Sequence, residues 1–132
     1  MDASALVPSL LAGRNPAGLD GFDLVAPGLL WSETSSALHV LRWRGLVDEG
    51  LAGRALSRLL DRKIQRVVGR ELTETAWRVA NDLGWAKTYD AEYVALALMR
   101  DAPLVTLDPR LRRGAARLIE MLAPEDIDTA QR

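Results

Sequence analysis

Residues 103–111, PLVTLDPRL, constrain the fold of this chain more than any other stretch. PLVTL is apolar and too short for a helix, and Asp108 and Pro109 close it. Asp followed by Pro suits a helix start: the carboxylate caps free N–H groups, and proline presets φ where no donor is needed. The segment therefore predicts a buried strand of the parallel kind that feeds directly into a helix.

The rest of the chain repeats that alternation. DASALVPSLLAG reads as a helix capped by Asp2 or Ser4 and stopped by Gly13, with Pro8 making it short, bent or late to begin. A turn and a short strand over Asp23 to Ala26 follow. Pro27 and Gly28 then open a long helix to about Arg44, with Leu30, Ala37, Leu38 and Leu41 on its apolar face. VDEGLAGRALSRLLDRK is a second amphipathic helix, IQRVV a minor strand, and ELTETAWRVANDLGW a helix closed by Gly84. TYDAEYVALALMRD is the clearest buried helix, with Ala91, Val94, Ala95 and Leu98 on one face. DPRLRRGAARL turns into a short helix, LIEML into a last strand, and from about residue 124 a polar tail is expected to fray. Strands alternating with helices imply an α/β fold: a mainly parallel sheet with helices on both faces. No repeat or linker divides residues 1–132, so one domain is expected.

The composition removes several chemistries. The chain lacks Cys, which excludes disulfides, thiol catalysis and Cys-based zinc. Its one His, His39, leaves almost nothing for a His-rich metal site or a Ser-His-Asp triad, and is expected to be structural. No apolar run of about 18 residues and no basic leader occur, so the cytoplasm is the expected compartment and no membrane is involved. The net charge of −1 says little about partners, but all but two of the 17 cations are Arg, which suits bidentate phosphate contacts.

Four acids stand where a parallel α/β sheet would bring them together: Asp2, Glu33, Asp90 and Asp108. Ligands bind at the carboxyl ends of strands in such sheets, and Asp2 and Asp108 sit at strand-to-helix junctions. Asp90 lies in a first helical turn, which faces the same edge. Each of the three taken alone reads first as a helix cap or a complement to the helix dipole. Glu33 lies on the core-facing stripe with Leu30, Ala37 and Leu41, where a carboxylate needs a partner; an Arg is the plain alternative to a functional role. Clustered carboxylates repel, and their usual compensation is a divalent cation with hard oxygen ligands.

Together DAS, APGLLWSETSSAL, TYDAEYVALA and LVTLDPRL resemble a PIN-domain ribonuclease, and most of all the VapC-type toxin of bacterial toxin–antitoxin pairs. The resemblance spans nearly the whole chain. It implies a three-layer α/β/α sandwich and a Mg²⁺- or Mn²⁺-dependent endoribonuclease that leaves 5′-phosphate and 3′-hydroxyl ends. Asp2, Asp90 and Asp108 would hold the metal, and Glu33 would ligate it or orient its water. An RNA substrate, a small antitoxin bound across helices near the site, and a toxin homodimer are also implied. The family pattern wants about four apolar residues before the first acid, yet only Met1 precedes Asp2. Either the true start lies upstream, or the first strand is truncated and Asp2 poorly anchored.

Other residues are read around that site. Thr106 points the same way along its strand as Asp108 and is expected to bond a carboxylate or the scissile phosphate, or to be a buried structural Thr; Ser4 has a weaker claim. Glu92 reads as a surface residue or one behind the ligands. Arg110, Arg112 and Arg113 are candidate RNA-backbone contacts. Arg54, Arg58, Arg62, Arg66 and Arg70, spaced by four, read as a solvated face or, alternatively, a phosphate track. Core packing is expected for most of Trp31, Trp43, Trp77 and Trp85, with a partner groove near Trp43 and Leu46. The competing reading is a non-catalytic PIN-like scaffold that binds RNA or protein. A phosphoacceptor receiver would need a suitably placed Lys, and a small-molecule phosphatase a second Asp two residues after the first; both are absent.

Overall fold

The computed structural model describes residues 1–14 and 19–130. Helix α1 (Ala3–Ala12) begins directly after Asp2, whose side chain caps it, and Pro8 does not interrupt it. A 3₁₀ turn (Leu19–Gly21) leads to β1 (Val25–Pro27), α2 (Leu29–Trp43), α3 (Glu49–Asp61), β2 (Gln65–Val67), α4 (Arg70–Leu83) and α5 (Tyr89–Arg100). Strand β3 (Leu104–Val105), α6 (Pro109–Ala115), β4 (Met121–Leu122) and α7 (Pro124–Ala130) complete the order. Pro27 thus ends a strand rather than opening the long helix.

The fold is α/β with parallel strands, but the strands are short. β1 pairs with β2 from Val25–Gln65 to Pro27–Val67, and β3 pairs with β4 at Leu104–Met121 and Val105–Leu122. The extended residue before α1 joins β3 through one bond, the Asp2 N–H to the Val105 carbonyl at 3.1 Å. With so few ladder bonds, the helices bury most of the core, which includes Leu6, Leu10, Leu30, Leu59 and Val94. Helix α5 is buried at Ala91 and from Tyr93 to Ala97, whereas Leu98, expected on that face, is exposed. None of the described helices is long and apolar enough to cross a membrane.

Two expectations fail here for long-range reasons. The stretch after residue 124 forms α7 rather than fraying: Ile127, 3% exposed, packs with Ala5, Leu19 and Val105, and the Asp126 carboxylate accepts the Ala123 N–H at 2.7 Å. Gln131 and Arg132 lie outside the described residues. The four-spaced arginines do not share one role. Arg58 donates to the Leu10 carbonyl at 2.7 Å and Arg62 to the Ser9 hydroxyl at 3.2 Å, so both close the end of α1. Arg66 stacks on Trp31, 4.2 Å from the ring centre, and Arg70 pairs with Glu74.

Gly13 ends α1 with φ of 69°, and a Cβ there would stand 2.8 Å from an Arg58 guanidinium nitrogen. Gly13→Ala therefore meets left-handed strain and also displaces Arg58. A loss of about 1–2 kcal/mol is expected in urea unfolding.

Candidate active site

Parallel topology delivers the acids to one edge. Strand β1 runs into α2, which carries Glu33 one turn in, and β3 runs into α6, which Asp108 caps. Asp2 caps α1, and Asp90 lies in the first turn of α5.

Asp2 is 6% exposed and firmly held. Its Oδ1 accepts the Ser4 hydroxyl at 2.7 Å and the Ala5 N–H at 3.3 Å; its Oδ2 accepts the Thr106 hydroxyl at 2.7 Å. Each hydroxyl has one proton, and both protons are given to Asp2. Ser4 and Thr106, with their oxygens 3.2 Å apart, thus act as acceptors for the Leu107 N–H at 2.9 Å and the Asp108 N–H at 3.0 Å. Asp2 is therefore not poorly anchored: two hydroxyls and one amide hold its carboxylate in a hydrogen-bonded knot. Of the roughly four acceptor positions on a carboxylate, about one stays open.

Asp108 behaves as the capping argument expects. Its Oδ1 accepts the Arg110 N–H at 2.9 Å and the Leu111 N–H at 3.4 Å, and the Arg110 guanidinium stands 3.8 Å away. The cap fixes the carboxylate, and the acid also lies close enough to Asp90 to repel it.

Glu33 finds a tyrosine, not an arginine: the Tyr93 hydroxyl donates to Oε1 at 3.1 Å. Burial raises the Glu33 pKa, as do the nearby Asp90, Asp2 and Glu92 charges, while the Tyr93 bond opposes them. Burial likewise raises Asp90, with further repulsion from Asp108 and Asp2 and some relief from Arg110. Glu92, also raised by burial, stands nearer Glu33 than a surface reading suggests. The acids therefore share one electrostatic neighbourhood that is short of positive charge.

Tyr93 was missed by sequence reasoning. The available signal was a tyrosine three residues after Asp90 on a buried helix, which needs a partner for its hydroxyl. Burial and the Glu33 charge push that phenol well above its ordinary range. Tyr93→Phe removes a bond that favours ionised Glu33, so Glu33 titrates still higher. The acid limb of the cleavage pH profile is expected to move to higher pH, with activity at neutral pH down about tenfold.

The proposed RNA arginines separate. Arg110 stands at the acids, and Arg113 is exposed on the same short helix. Arg112 instead reaches the Met121 carbonyl and Asp126, each at 3.5 Å, and ties α6 to β4 and α7. His39 is exposed on α2. The tryptophans are less buried than expected: Trp43 and Trp77 are exposed, and Trp31 and Trp85 are half-buried.

Among the described residues, no three His, Cys or acidic side chains are already closed into a cage for a metal. The donor set still fits a hard cation: the donors are oxygens, and burial and like charge disfavour ionised Glu33 and Asp90. Mg²⁺ typically keeps several waters and takes one or two carboxylates plus substrate phosphate, which an open carboxylate edge permits.

Carboxylates gathered at the C-terminal edge of a parallel α/β fold are a donor set suited to oxygen-bound cations. The family model of the PIN domain matches residues 2–117, and the chain belongs to that family, whose members are generally nucleases that bind divalent metals. Among solved structures it is similar to PAE2754 from Pyrobaculum aerophilum, at 29% identity and a TM-score of 0.76, covering 98% of this chain and 92% of that one. No curated protein matches the chain.

Proposed function

We propose that the protein is a Mg²⁺- or Mn²⁺-dependent endoribonuclease and the toxin half of a toxin–antitoxin pair. The observation that carries the catalytic part is the shared upward push on Glu33 and Asp90 by burial and neighbouring acids, a charge deficit that a divalent cation would relieve. Asp2, Asp90 and Asp108 would hold the cation directly or through water. When bound, it supplies activation of water and neutralisation of phosphate charge. Ser4 and Thr106 keep the Asp2 carboxylate aimed and Tyr93 orients Glu33, which would ligate the cation or orient its water. Arg110 and Arg113 offer contacts to the RNA backbone. The exposed Trp43 at the end of α2 and Leu46 just after it support an antitoxin surface there, and a homodimer belongs to the same reading.

The test is cleavage of an end-labelled structured RNA in Mn²⁺ and in EDTA, with the product ends identified. Cleavage in Mn²⁺ only, leaving 5′-phosphates, is expected. The second reading is a non-catalytic RNA- or protein-binding scaffold. Absence of both cleavage and Mn²⁺ binding by titration calorimetry would decide for the scaffold.

A further inference from the structure

A cavity lies away from the acids, at the opposite edge of the fold. It measures about 1220 Å³ and is bounded by the C-terminal ends of α1, α3 and α5 and by the residues entering β1 and β2. Helices α1 and α5 each place one end at the acids and the other at this cavity, roughly 15 Å apart at 1.5 Å per residue.

Among the described residues its lining carries the cations Arg14, Arg58, Arg62, Lys63 and Arg100 and the carboxylates Asp23 and Asp61. In a chain of net charge −1, that is a local concentration of positive charge. Arg58 is pinned by the Leu10 carbonyl, a bond that uses one of its five donors and leaves its guanidinium over Gly13. Phe22, the chain's only Phe, also lines the cavity and is 52% exposed. An exposed aromatic and several cations lining one cavity match the two halves of a nucleotide: cations meet phosphate, and a ring stacks a base.

We infer that this cavity is a second, metal-independent site for a nucleotide unit, with phosphate on Arg14, Lys63 and Arg100 and the base on Phe22. The ligand chemistry is shared by a free nucleoside phosphate and by one segment of a single-stranded RNA. The inference goes beyond the catalytic reading and does not depend on it.

The test measures binding of AMP by calorimetry, and of a fluorescein-labelled octa-adenylate by anisotropy, both in EDTA. Saturable binding is expected in the wild type and equally in Asp90→Asn. Lys63→Glu/Arg100→Glu is expected to weaken binding at least tenfold and to lower the salt slope by about 1.4, two phosphate contacts on a single strand. Phe22→Ala is expected to weaken it at least about fivefold. All three positions are exposed, so circular dichroism should show both variants folded. AMP displacing the oligomer identifies a free nucleotide as sufficient; oligomer binding without AMP binding identifies an RNA segment; either supports the site. No binding of either ligand, binding unchanged in both variants, or displacement by inorganic phosphate as effective as by AMP overturns it. Failure of Mn²⁺-dependent cleavage, measured separately, removes the catalytic reading alone.

Discussion

Replacing Asp90 by Asn is expected to reduce Mn²⁺-dependent RNA cleavage by about 10²–10³-fold, the effect of losing a few kcal/mol of charge stabilisation. The same substitution is expected to raise the thermal midpoint in EDTA. Burial and the neighbouring Asp108 and Asp2 hold the Asp90 pKa above its ordinary value. The folded state therefore binds this proton more tightly than the unfolded state does. Stability then falls as pH rises from the ordinary carboxylate range near 4 through the folded value, and the penalty is complete above it. Glu33 adds to the same slope. Thermal scans in EDTA from pH 4 to pH 7.5 should show the contribution of these acids falling as pH rises, and Asp90→Asn losing less than the wild type over that span. A variant with a lower midpoint at pH 7.5 would contradict the electrostatic account, and one with undiminished cleavage would remove Asp90 from the site.

Asp2→Ala should have the opposite effect on stability. Asp2 accepts two hydroxyls and the Ala5 N–H, and those hydroxyls fix the amides of Leu107 and Asp108. Its removal costs a helix cap and leaves donors unmatched in a site it fills almost completely. A loss of about 2–4 kcal/mol is expected, or roughly 10 °C in thermal midpoint, with cleavage abolished. Asp2→Asn keeps one acceptor oxygen but turns an amide donor toward a hydroxyl donor, so it should fall between. Urea unfolding measures all three, and an Asp2→Ala protein as stable as wild type would show that the knot does not support the fold. One cluster thus contains an acid the fold depends on and another the fold tolerates at a cost.

What was legible in the chain was local. PLVTLDPRL shows its strand, its cap and its proline at N1 within nine residues, because each rests on chemistry between near neighbours. The Asp2, Asp90 and Asp108 positions were readable for the same reason: each stands at or near a helix start. The partner of Glu33 was not, because Tyr93 meets it only through the packing of α5 near α2, 60 positions along the chain. Arg58 and Arg62 showed a period of four but not a direction, and their direction is set by α1, 48 and 53 positions away. Helix α7 escaped notice because its anchor is Ile127 in a polar run, and its pocket is assembled from three distant segments. The Asp2 knot lay between these cases: Ser4 and Thr106 were suspected, but the way they share two protons is visible only in space.

The segregation of charge to opposite edges bears on how such a protein survives before any cation reaches it. Peptide dipoles give a helix a partial positive charge at its start and a partial negative charge at its end. Asp2, Asp90 and Asp108 stand at starts, while Arg58 and Arg100 stand in the last turns of α3 and α5. Each such placement is favourable by about 0.3–1 kcal/mol. The backbone itself thus acts as a weak internal counter-ion, neutralising part of the acid edge in the metal-free chain. A newly made molecule can thus fold with its carboxylates in place without a bound cation.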